Sequence, residues 1–497
     1  MTSAIVVGSG PNGLAAAAVL ARAGLEVTVL EAGDVIGGGT RSSEMIVPGL
    51  VHDHCSAFHP IAAASPCFAE LGLAAGGRLT WLQPTVDCAH PLDDSSAGVM
   101  YRSIEQTAED LGTDGQRWRR LFEPMASRFE DLFADASQPV LRLPSHPFTL
   151  ARFGAGAMLP ATIMGRVWRT EQTKALWAGV AAHTFSRLDR PMTSAVGLML
   201  IVAAHARGWV VAKGGSQAIA RALAAEIEHH GGRIETGVHV TAADDLPPSD
   251  LVMLDVSPSI AADILGDRLP ARISRSYRRF RHGPGAFKVD FAIEGDVPWT
   301  APAARHAGTV HLGGSIGEVV ANEAVVQEGA MPARPFVLVG QQYLADPTRS
   351  TGNVNPLWTY AHVPHAYAGD ATEAIIAQIE RFAPGFRDRI IGTAVRSTTE
   401  MSVDNPNYVG GDVIGGASSL TQLLFRPRFA IDPYFTGVPG TYLCSASTPP
   451  GAGAHGMCGA NAAARALARL RSDPRLIPTA RLADNRSDHV GRSGAAR

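Results

Sequence analysis

The sequence is poor in cysteine and in lysine. None of its five cysteines forms a CxxC pair or a metal-like cluster, which argues against a redox-active disulfide and predicts a reducing compartment. Lys174, Lys213 and Lys288 are the only lysines among 43 basic residues, and the net charge is −3. Because there is no polybasic run, a nucleic-acid partner is not expected. No metal site is predicted either.

Long hydrophobic runs are also missing. The longest apolar stretch, residues 195–204, is too short to span a bilayer. The apolar residues 4–7 are expected to form a strand and not a signal peptide. These features predict a cytoplasmic protein, while a peripheral membrane contact and the oligomeric state stay open. With 497 residues, the chain is long enough for two or three domains with sizeable cores.

A strand–helix–strand unit is predicted at the start of the chain. Residues 4–7 form a short apolar run, typical of a buried strand. The alanine-rich residues 14–23 favour a helix, and residues 25–30 predict a second strand. Glu31 and Ala32 follow that strand, at the point where a carboxylate can accept hydrogen bonds from both hydroxyls of a ribose.

The turn inside this unit carries three glycines with separate predicted roles. Gly8 allows the tight turn, Gly10 lets the backbone approach a pyrophosphate, and Gly13 lets helix and strand pack closely. Phosphates would then lie on the helix N-terminus, beside Pro11 and Asn12. The unit therefore predicts a dinucleotide, although NAD and FAD share this adenosine end.

A second glycine turn begins six residues after Glu31, the carboxylate predicted to bind the ribose. It resembles the signature of the FAD-binding superfamily that contains amine oxidases, phytoene desaturases and Rab GDP-dissociation inhibitors. In that superfamily the turn runs along the flavin pyrophosphate and ribityl chain, and it usually carries arginine where this chain has Gly39. The resemblance implies that Gly38, Gly39, Thr40 and Arg41 contact FAD.

A glycine-rich segment near the other end of the chain resembles the second half of the same flavin site. Residues 440–447 predict a strand, and a proline- and glycine-rich loop leads from it into an alanine-rich helix. In the superfamily, the N-terminus of this helix points at the flavin N1–C2=O edge, where its positive end favours the anionic reduced flavin. The resemblance implies flavin contacts by Ser447, Gly456 and Met457, and a backbone contact of Val240 with the adenine.

Three further segments narrow the resemblance. Residues 281–290, 357–364 and 405–412 are similar to bacterial phytoene-dehydrogenase-related oxidoreductases, which are relatives of pyridine nucleotide-disulfide oxidoreductase domain-containing protein 2. The resemblance covers about residues 3–470 and is uninformative about the substrate. It implies an α/β fold, with a Rossmann-type FAD-binding domain of the glutathione-reductase-like kind interleaved with an α+β substrate domain.

The predicted organisation alternates between these two domains. FAD-binding parts are expected at both ends and in the middle, separated by a helical lid and a substrate sheet and followed by a disordered tail. The predicted boundaries are 1–104 (first FAD part), 105–205 (helical region), 206–275 (second FAD part), 276–430 (substrate sheet), 431–471 (third FAD part) and 472–497 (tail).

One internal motif allows two interpretations. Residues 309–318 again read strand, glycines and helix, so they could form an NAD(P) site or a plain tight turn. The motif lacks the first half of the GxGxxG spacing, which favours the turn. Without a second dinucleotide site, electrons are expected to pass to dioxygen or a quinone.

Catalytic residues have weaker signals. Lys288 lies in a segment that resembles the amine-oxidase strand whose lysine holds a water near flavin N5, where a buried ammonium can assist hydride transfer. A lysine on the solvated face of an alternating strand is an equally good interpretation. His59 and His455 are further candidates, because each lies near a predicted flavin segment, although a lone histidine is more often structural.

The helical region contains an apolar set that could line a substrate tunnel. For most of its members, packing in the core of their own helices is the preferred interpretation. The set consists of Phe148, Leu150, Phe153, Met158, Leu159, Ile163, Met164, Val167 and Trp168.

The leading functional hypothesis is an FAD-dependent oxidoreductase. It would desaturate or oxidise a small apolar substrate, isoprenoid or acyl in character, by hydride transfer to flavin N5. A flavin amine oxidase, with Tyr360 and Tyr408 as an aromatic cage, is the second enzyme hypothesis. A flavin-free carrier of the GDP-dissociation-inhibitor type is a third, which the intact glycine constellation argues against.

Overall fold

The computed structural model describes residues 2–472. The predicted disordered tail, residues 472–497, lies outside the described residues except for Ser472, which ends the last helix. Short apolar and β-branched runs form the strands, as expected for positions covered by neighbouring layers. The strands are β1 (Ser3–Val7), β2 (Glu26–Leu30), β3 (Ser42–Glu44), β4 (Val51–Asp53), β5 (Trp81–Leu82), β6 (Val86–Pro91), β7 (Ala97–Met100), β8 (Val211–Ala212), β9 (Arg233–Glu235), β10 (Leu251–Leu254), β11 (Gly285–Glu294), β12 (Ala307–Leu312), β13 (Val337–Gly340), β14 (Val354–Val363), β15 (Ile390–Arg396) and β16 (Thr441–Leu443).

Helices fill the intervals between these strands. Several start at a proline in the first turn or at a serine or threonine cap, which are favoured helix starts. The helices are α1 (Pro11–Arg22), α2 (Pro60–Ala63), α3 (Pro66–Glu70), α4 (Ile104–Asp110), α5 (Gly115–Ala126), α6 (Phe129–Ala136), α7 (Pro147–Ala157), α8 (Ala161–Gly165), α9 (Glu171–Ala181), α10 (Ser194–Arg207), α11 (Gln217–His229), α12 (Pro258–Leu265), α13 (Ala271–Arg278), α14 (Ile316–Gln327), α15 (Thr372–Phe382), α16 (Thr398–Asp404), α17 (Leu420–Phe425) and α18 (Met457–Ser472).

A five-stranded parallel sheet forms the first unit. Its strand order is β16-β10-β1-β2-β9, so three distant parts of the chain contribute to it. Val7 at the end of β1 is in register with Leu30 of β2 and with Leu254 of β10. The carboxyl ends of these three strands therefore meet at one edge, which is where doubly wound sheets bind ligands. The predicted α/β fold with a Rossmann-type sheet is confirmed.

A seven-stranded sheet forms the second unit, in the order β15-β11-β14-β13-β12-β6-β7. All its neighbouring pairs are antiparallel except β12 with β6. The predicted division assigned residues 86–100 to the first FAD part, but they form β6 and β7 of this sheet. Strand β6 is buried throughout and pairs with β12 on one side and β7 on the other.

Helices α4 to α10 occupy residues 104–207, and α9 packs against β6, β7 and β12 of the second sheet. Trp118 and Trp177 are fully buried among them. The indole nitrogen of Trp118 donates to His205 Nε2 at 2.9 Å, and that of Trp177 donates to the Ala161 carbonyl at 2.8 Å. The helical layer is thus fixed by large aromatic side chains whose polar atoms are satisfied.

A buried ion pair connects the two units. Asp53, at the end of β4, accepts hydrogen bonds from Ser42 Oγ and the Ser216 amide at 2.7 Å each. Arg349, in the connection between β13 and β14, lies 2.5 Å from Asp53, and both side chains are almost fully buried. Burial alone would raise the pKa of Asp53, but the Arg349 charge and the hydrogen bonds lower it below its usual range.

We expect Arg349→Met to lower the free energy of unfolding by about 3–5 kcal/mol, because it leaves the Asp53 carboxylate buried without a counter-charge. Urea denaturation of the two proteins measures this loss. The matched control is Arg187→Met, which breaks the surface pairs with Asp189 and Glu328 and should cost less than about 1 kcal/mol. Equal losses in the two variants would contradict this interpretation of the buried pair.

Candidate functional site

A cavity of about 480 Å³ lies at the carboxyl edge of the five-stranded sheet. This volume lies within the usual range for ligand sites. The wall is built from every strand end that meets at this edge and from loops of the second unit. It consists of residues 7–12, 30–33, 35, 38–41, 55–56, 238–240, 255–257, 260, 403–408, 413, 415, 445–447 and 452–454.

Most residues predicted to bind the cofactor line this cavity. The cavity wall contains residues from both glycine turns and from the C-terminal segment, although these lie far apart in sequence. The predicted residues found there are Gly8, Gly10, Pro11, Asn12, Glu31, Ala32, Gly38, Gly39, Thr40, Arg41, Val240 and Ser447. Three predicted residues do not line it, namely Gly13, Gly456 and Met457.

Gly13 serves packing, in agreement with its predicted role. A Cβ atom added there would lie 2.2 Å from the Gly8 carbonyl oxygen, so any side chain would push helix α1 away from the turn. Gly10 is equally restricted, because its added Cβ would lie 2.6 Å from Asp255 Oδ2. Both glycines therefore keep the turn tight enough for the helix N-terminus to face the cavity.

Glu31 stabilises the turn as well as facing the cavity. Its Oε2 accepts a hydrogen bond from the Ser9 amide and its Oε1 accepts one from the Gly33 amide, each at 2.8 Å. Oε2 also accepts a hydrogen bond from the Ser9 hydroxyl, so a free lone pair remains on Oε1. Glu31 can therefore hold the loop and still accept a hydrogen bond from a ribose hydroxyl.

Asp255 is a site residue that sequence reasoning missed. It follows β10 directly, and its Oδ2 accepts a hydrogen bond from the Gly13 amide at 2.8 Å. Burial raises the pKa of Asp255 to about 7, with the Glu31 charge adding to the increase. An acidic residue directly after a predicted parallel strand was the available signal, because that strand end meets Gly8.

The second glycine turn makes room for a tyrosine. A Cβ added at Gly39, where the superfamily usually has arginine, would lie 2.1 Å from the Tyr408 hydroxyl oxygen and 3.5 Å from its Cζ. Arg41 bonds the Gly38 carbonyl at 2.9 Å and Asp404 Oδ2 at 2.6 Å. The turn is thus fixed to the loop after α16, and Tyr408 occupies the space beside Gly39.

The C-terminal loop departs from the predicted contacts. A Cβ added at Gly456 would lie 2.7 Å from Ala15 Cβ, so this glycine serves the packing of α18 on α1. The Met457 amide donates to His455 Nδ1 at 3.0 Å. Residues 452–454, a few positions earlier, line the cavity in their place.

His455, a predicted catalytic candidate, lines neither cavity. Because Nδ1 accepts the Met457 amide, Nε2 carries the ring proton and donates to the Ala452 carbonyl at 3.2 Å. Burial lowers the pKa of His455 to about 4. The residue is a neutral imidazole that holds the loop in shape.

A second cavity, of about 250 Å³, adjoins the first. The two share six wall residues, including Cys55, Ser56 and the loop at 452–454. Apolar and aromatic side chains form most of the remaining wall, which is typical of small-molecule sites. They include Phe58, Phe185, Val196, Leu200, Trp209, Leu338, Trp358, Tyr360 and Met401.

Lys288 lies in the wall of this second cavity and is 1% exposed. The alternative of a solvated strand face is therefore wrong, because β11 is covered on both faces at every position except Glu294. The Lys288 ammonium pairs with Asp290 and lies 5.5 Å from the centre of the Trp358 ring. Burial lowers the pKa of Lys288, against the opposing effect of Asp290.

His59 also lines the second cavity, as a neutral ring. Ser216 Oγ donates to the Ser56 carbonyl at 2.6 Å, so His59 Nε2 must donate to Ser216 Oγ at 2.9 Å. Burial lowers the pKa of His59 to about 4. It contributes a polar atom to the wall and not a charge.

A contact between two histidines, one of which lies in the same wall, was not predicted. His183 lines the cavity, and its Nε2 lies 3.0 Å from His311 Nε2. Burial lowers the pKa of His183 to about 3. No local pattern connects these two residues, which meet through the packing of the helical layer on β12.

The two tyrosines of the predicted aromatic cage line different cavities, Tyr360 the second and Tyr408 the first. No member of the apolar set in the helical region lines either cavity. Some members pack in the helical core, including Phe153, Met164 and Trp168, whereas others, such as Phe148, are exposed.

The internal glycine motif is a turn. It joins β12 to α14, and Ser315 Oγ accepts a hydrogen bond from the Glu318 amide at the start of that helix. A Cβ added at Gly313 would lie 2.6 Å from a methyl carbon of Val319. None of residues 313–318 lines either cavity.

Sequence comparisons agree with this architecture. A family model described as an NAD(P)-binding Rossmann-like domain matches residues 6–71. Pyridine nucleotide-disulfide oxidoreductase domain-containing protein 2 of Rattus norvegicus is 24% identical over 93% of this chain and 92% of its own length. Hydroxyneurosporene desaturase of Cereibacter sphaeroides is 29% identical over 53% of this chain and 58% of its own. The predicted kinship and the oxidoreductase class are confirmed.

Solved structures share the fold. An oxidoreductase from Methanosarcina mazei has a TM-score of 0.60 at 15% identity, covering 95% of this chain and all of the other. Cyclohexylamine oxidase from Brevibacterium oxydans has a TM-score of 0.57 at 16% identity, covering 95% of this chain and 99% of its own. The similarity extends over both units, so the interleaved arrangement is common to these proteins.

We expect Gly39→Ala to lower the free energy of unfolding by about 1–3 kcal/mol, because the new methyl group overpacks the space held by the Tyr408 hydroxyl. Tyr408→Phe removes that oxygen and leaves an ordinary contact of 3.5 Å to Cζ. The alanine should therefore cost much less in a Tyr408→Phe background. Urea denaturation of the four proteins of this double-mutant cycle gives the coupling, and strict additivity would contradict the proposed contact.

We expect affinity for a dinucleotide to fall as the pH rises through about 7, because the buried Asp255 carboxyl loses its proton there and then repels the pyrophosphate. The loss should be at most about tenfold per pH unit above the pKa, as measured by fluorescence titration with FAD as the test ligand. Asp255→Asn is isosteric and should remove the dependence.

Without cofactor the same ionisation lowers stability. The pKa of Asp255 is higher in the folded protein than the 3.8 of the free group, so the folded state binds the extra proton. Its stabilising effect should be complete below pH 3.8 and decline until about pH 7. A profile for Asp255→Asn that matches the unmodified protein would contradict both expectations.

Proposed function

We propose that this protein is an FAD-dependent oxidoreductase that removes a hydride and a proton from an apolar substrate. The observation that carries the proposal is the junction of the two cavities. The first has the polar groups that a dinucleotide needs, and the second is apolar. They meet at Cys55, Ser56 and the loop at 452–454.

The shape of the first cavity supports FAD over NAD. The adenosine end would lie at Glu31 and Val240, and the pyrophosphate at the N-terminus of α1. The wall then continues along Thr40 and Arg41 to the C-terminal strand. Ser445 Oγ is buried there without a hydrogen-bond partner in the described chain, so it is free to bond a ribityl hydroxyl.

Bound FAD would supply the acceptor for the substrate hydride, and dioxygen or a quinone would reoxidise it. The chain's own part is to orient the substrate in a dry cavity and to manage the proton. Lys288 is the charged side chain in the second cavity's wall. Asp290 lies behind it as a counter-charge, which lets the lysine hold a proton, or a water molecule, at the cavity surface.

The chemistry of the second cavity favours a neutral substrate. Among the described residues that line it, none has a carboxylate, and Lys288 would repel an ammonium group. Trp358 and Tyr360 meet edge to face, 5.0 Å apart, in the wall, and offer flat apolar surface. The relative named a hydroxyneurosporene desaturase supports an isoprenoid-like chain as the substrate class, and an acyl chain would meet the same requirements.

A flavin amine oxidase is the second candidate function. The aromatic wall and the fold shared with cyclohexylamine oxidase favour it, although it requires the amine to bind as the free base beside Lys288. A flavin-free lipid carrier is the third. It would leave the polar groups of the first cavity without a ligand.

An absorption spectrum of the purified protein, with flavin release on denaturation and anaerobic photoreduction, tests the proposal. We expect bound FAD that photoreduces. Fast reoxidation in air would indicate an oxidase, whereas slow reoxidation that is accelerated by a soluble quinone would indicate a quinone-linked desaturase. A protein that takes up no FAD would overturn the proposal and favour the carrier.

We expect Lys288→Met to slow flavin reduction by a substrate by about 10²–10⁴-fold while FAD stays bound. Stopped-flow flavin absorbance with an amine, alcohol and polyprenoid panel measures this rate. Lys174→Met is the matched control, because Lys174 lies on α9 and pairs only with Glu171 at the surface. Equal rates in the two variants would remove Lys288 from the mechanism.

A further inference from the structure

Exposed apolar side chains are concentrated in one segment of the helical layer. Eight of the fifteen large hydrophobic side chains exposed in the described chain lie between residues 140 and 167. Leu143 is 93% exposed and Phe148 is 88% exposed. Isolated exposed side chains are normal on protein surfaces, but a contiguous group marks an interaction surface. We call residues 137–170 the apolar segment.

Helix α7 contributes Phe148 to this surface, and the other exposed members lie before it, after it and in α8. Its buried side chains, Thr149, Phe153 and Ala157, are four residues apart. The outward face runs from Phe148 through Arg152 to Met158, with small alanines between them. A helix at the surface of a globular protein normally turns charged side chains outward. On α7 the exposed face instead carries Phe148 and alanines, with Arg152 as its one charge.

The charges of the apolar segment are all of one sign. Between Asp135 and Glu171 the sequence has four arginines and no acidic residue. Arg142 is paired with Asp135. In the described chain, no carboxylate lies within 4.0 Å of the guanidinium groups of Arg152, Arg166 or Arg169. In a protein of net charge −3, these three unpaired cations stand among exposed apolar side chains.

The apolar segment lies close to the second cavity. A Cβ added at Gly156 of α7 would lie 2.9 Å from Leu198 of α10, so the two helices pack tightly there. Val196 and Leu200, on the opposite side of α10, line the cavity. One helix therefore separates the exposed surface from the cavity.

We propose that the apolar segment docks on a lipid bilayer that contains anionic headgroups. Leu143 and Phe148 would enter the interface, and Arg152, Arg166 and Arg169 would contact lipid phosphates. A second copy of this chain fits less well, because a two-fold contact pairs a patch with itself and would bring arginines together. No helix in residues 2–472 is long and apolar enough to cross the membrane, so the contact is peripheral.

Co-sedimentation of the full-length protein with vesicles tests this proposal without any substrate or flavin. We expect binding to vesicles of phosphatidylcholine mixed with phosphatidylglycerol, much weaker binding to phosphatidylcholine alone, and weakening by added salt. Leu143→Ser with Phe148→Ser should lower the partition coefficient by at least about tenfold. Arg152→Gln with Arg166→Gln should remove most of the preference for anionic vesicles.

The matched control is Ile391→Ser. Ile391 is 52% exposed on β15, the edge strand opposite to β7, against which α9 packs, and its replacement should leave vesicle binding unchanged. Unaltered thermal unfolding would show that the variants are folded. The proposal is overturned if the protein binds no vesicles, or if the segment variants bind like the control. It is also overturned if light scattering shows that the segment forms a dimer.

Discussion

The arrangement of both cavities depends on one buried carboxylate. Asp53 joins β4 to the start of α11 through the Ser216 amide and to the second unit through Arg349. Ser216 Oγ in turn accepts a hydrogen bond from the His59 ring N–H and donates one to the Ser56 carbonyl. The chain between these residues forms part of the wall common to both cavities. The Arg349 guanidinium also bonds Asp346 and the Ala212 carbonyl, so it ties Asp53 to two further segments and constrains the geometry around it.

The groups that line the connected space change in character from one end to the other. Glu31, Asp255 and Arg41 provide hydrogen bonds and charge in the first cavity. Beyond Cys55, aromatic and aliphatic side chains predominate, and Lys288 is the charged residue among them. Binding energy can therefore come from the polar end, while low water content at the apolar end strengthens whatever electrostatic interaction Lys288 makes.

Local spacing predicted the parts of the site that form locally. Gly8, Gly10, Gly13 and Glu31 lie within one strand–helix–strand unit, so their roles followed from sequence distance. Asp255 and Tyr408 reach the same turns through pairing and packing over hundreds of residues, and the position of Asp255 directly after a strand was the one local signal for either contact. The alternation of side chains along β11 did not show whether Lys288 is exposed, because this strand is covered on both faces. The glycine-rich loop suggested ligand contacts for His455 and Gly456. In the structure the His455 ring bonds the backbone of its own loop, and Gly456 packs against α1.

The order of the strands in the first sheet has a consequence for biosynthesis. The central strand β1 leaves the ribosome first, but its neighbour β10 follows almost 250 residues later and β16 later still. The loop at 452–454 lines both cavities, so their walls are complete only when nearly the whole chain has been synthesised. Until then the alanine-rich helix α1, buried on almost every side in the finished molecule, has no partner in α18. The nascent chain must therefore be protected from aggregation for most of its translation.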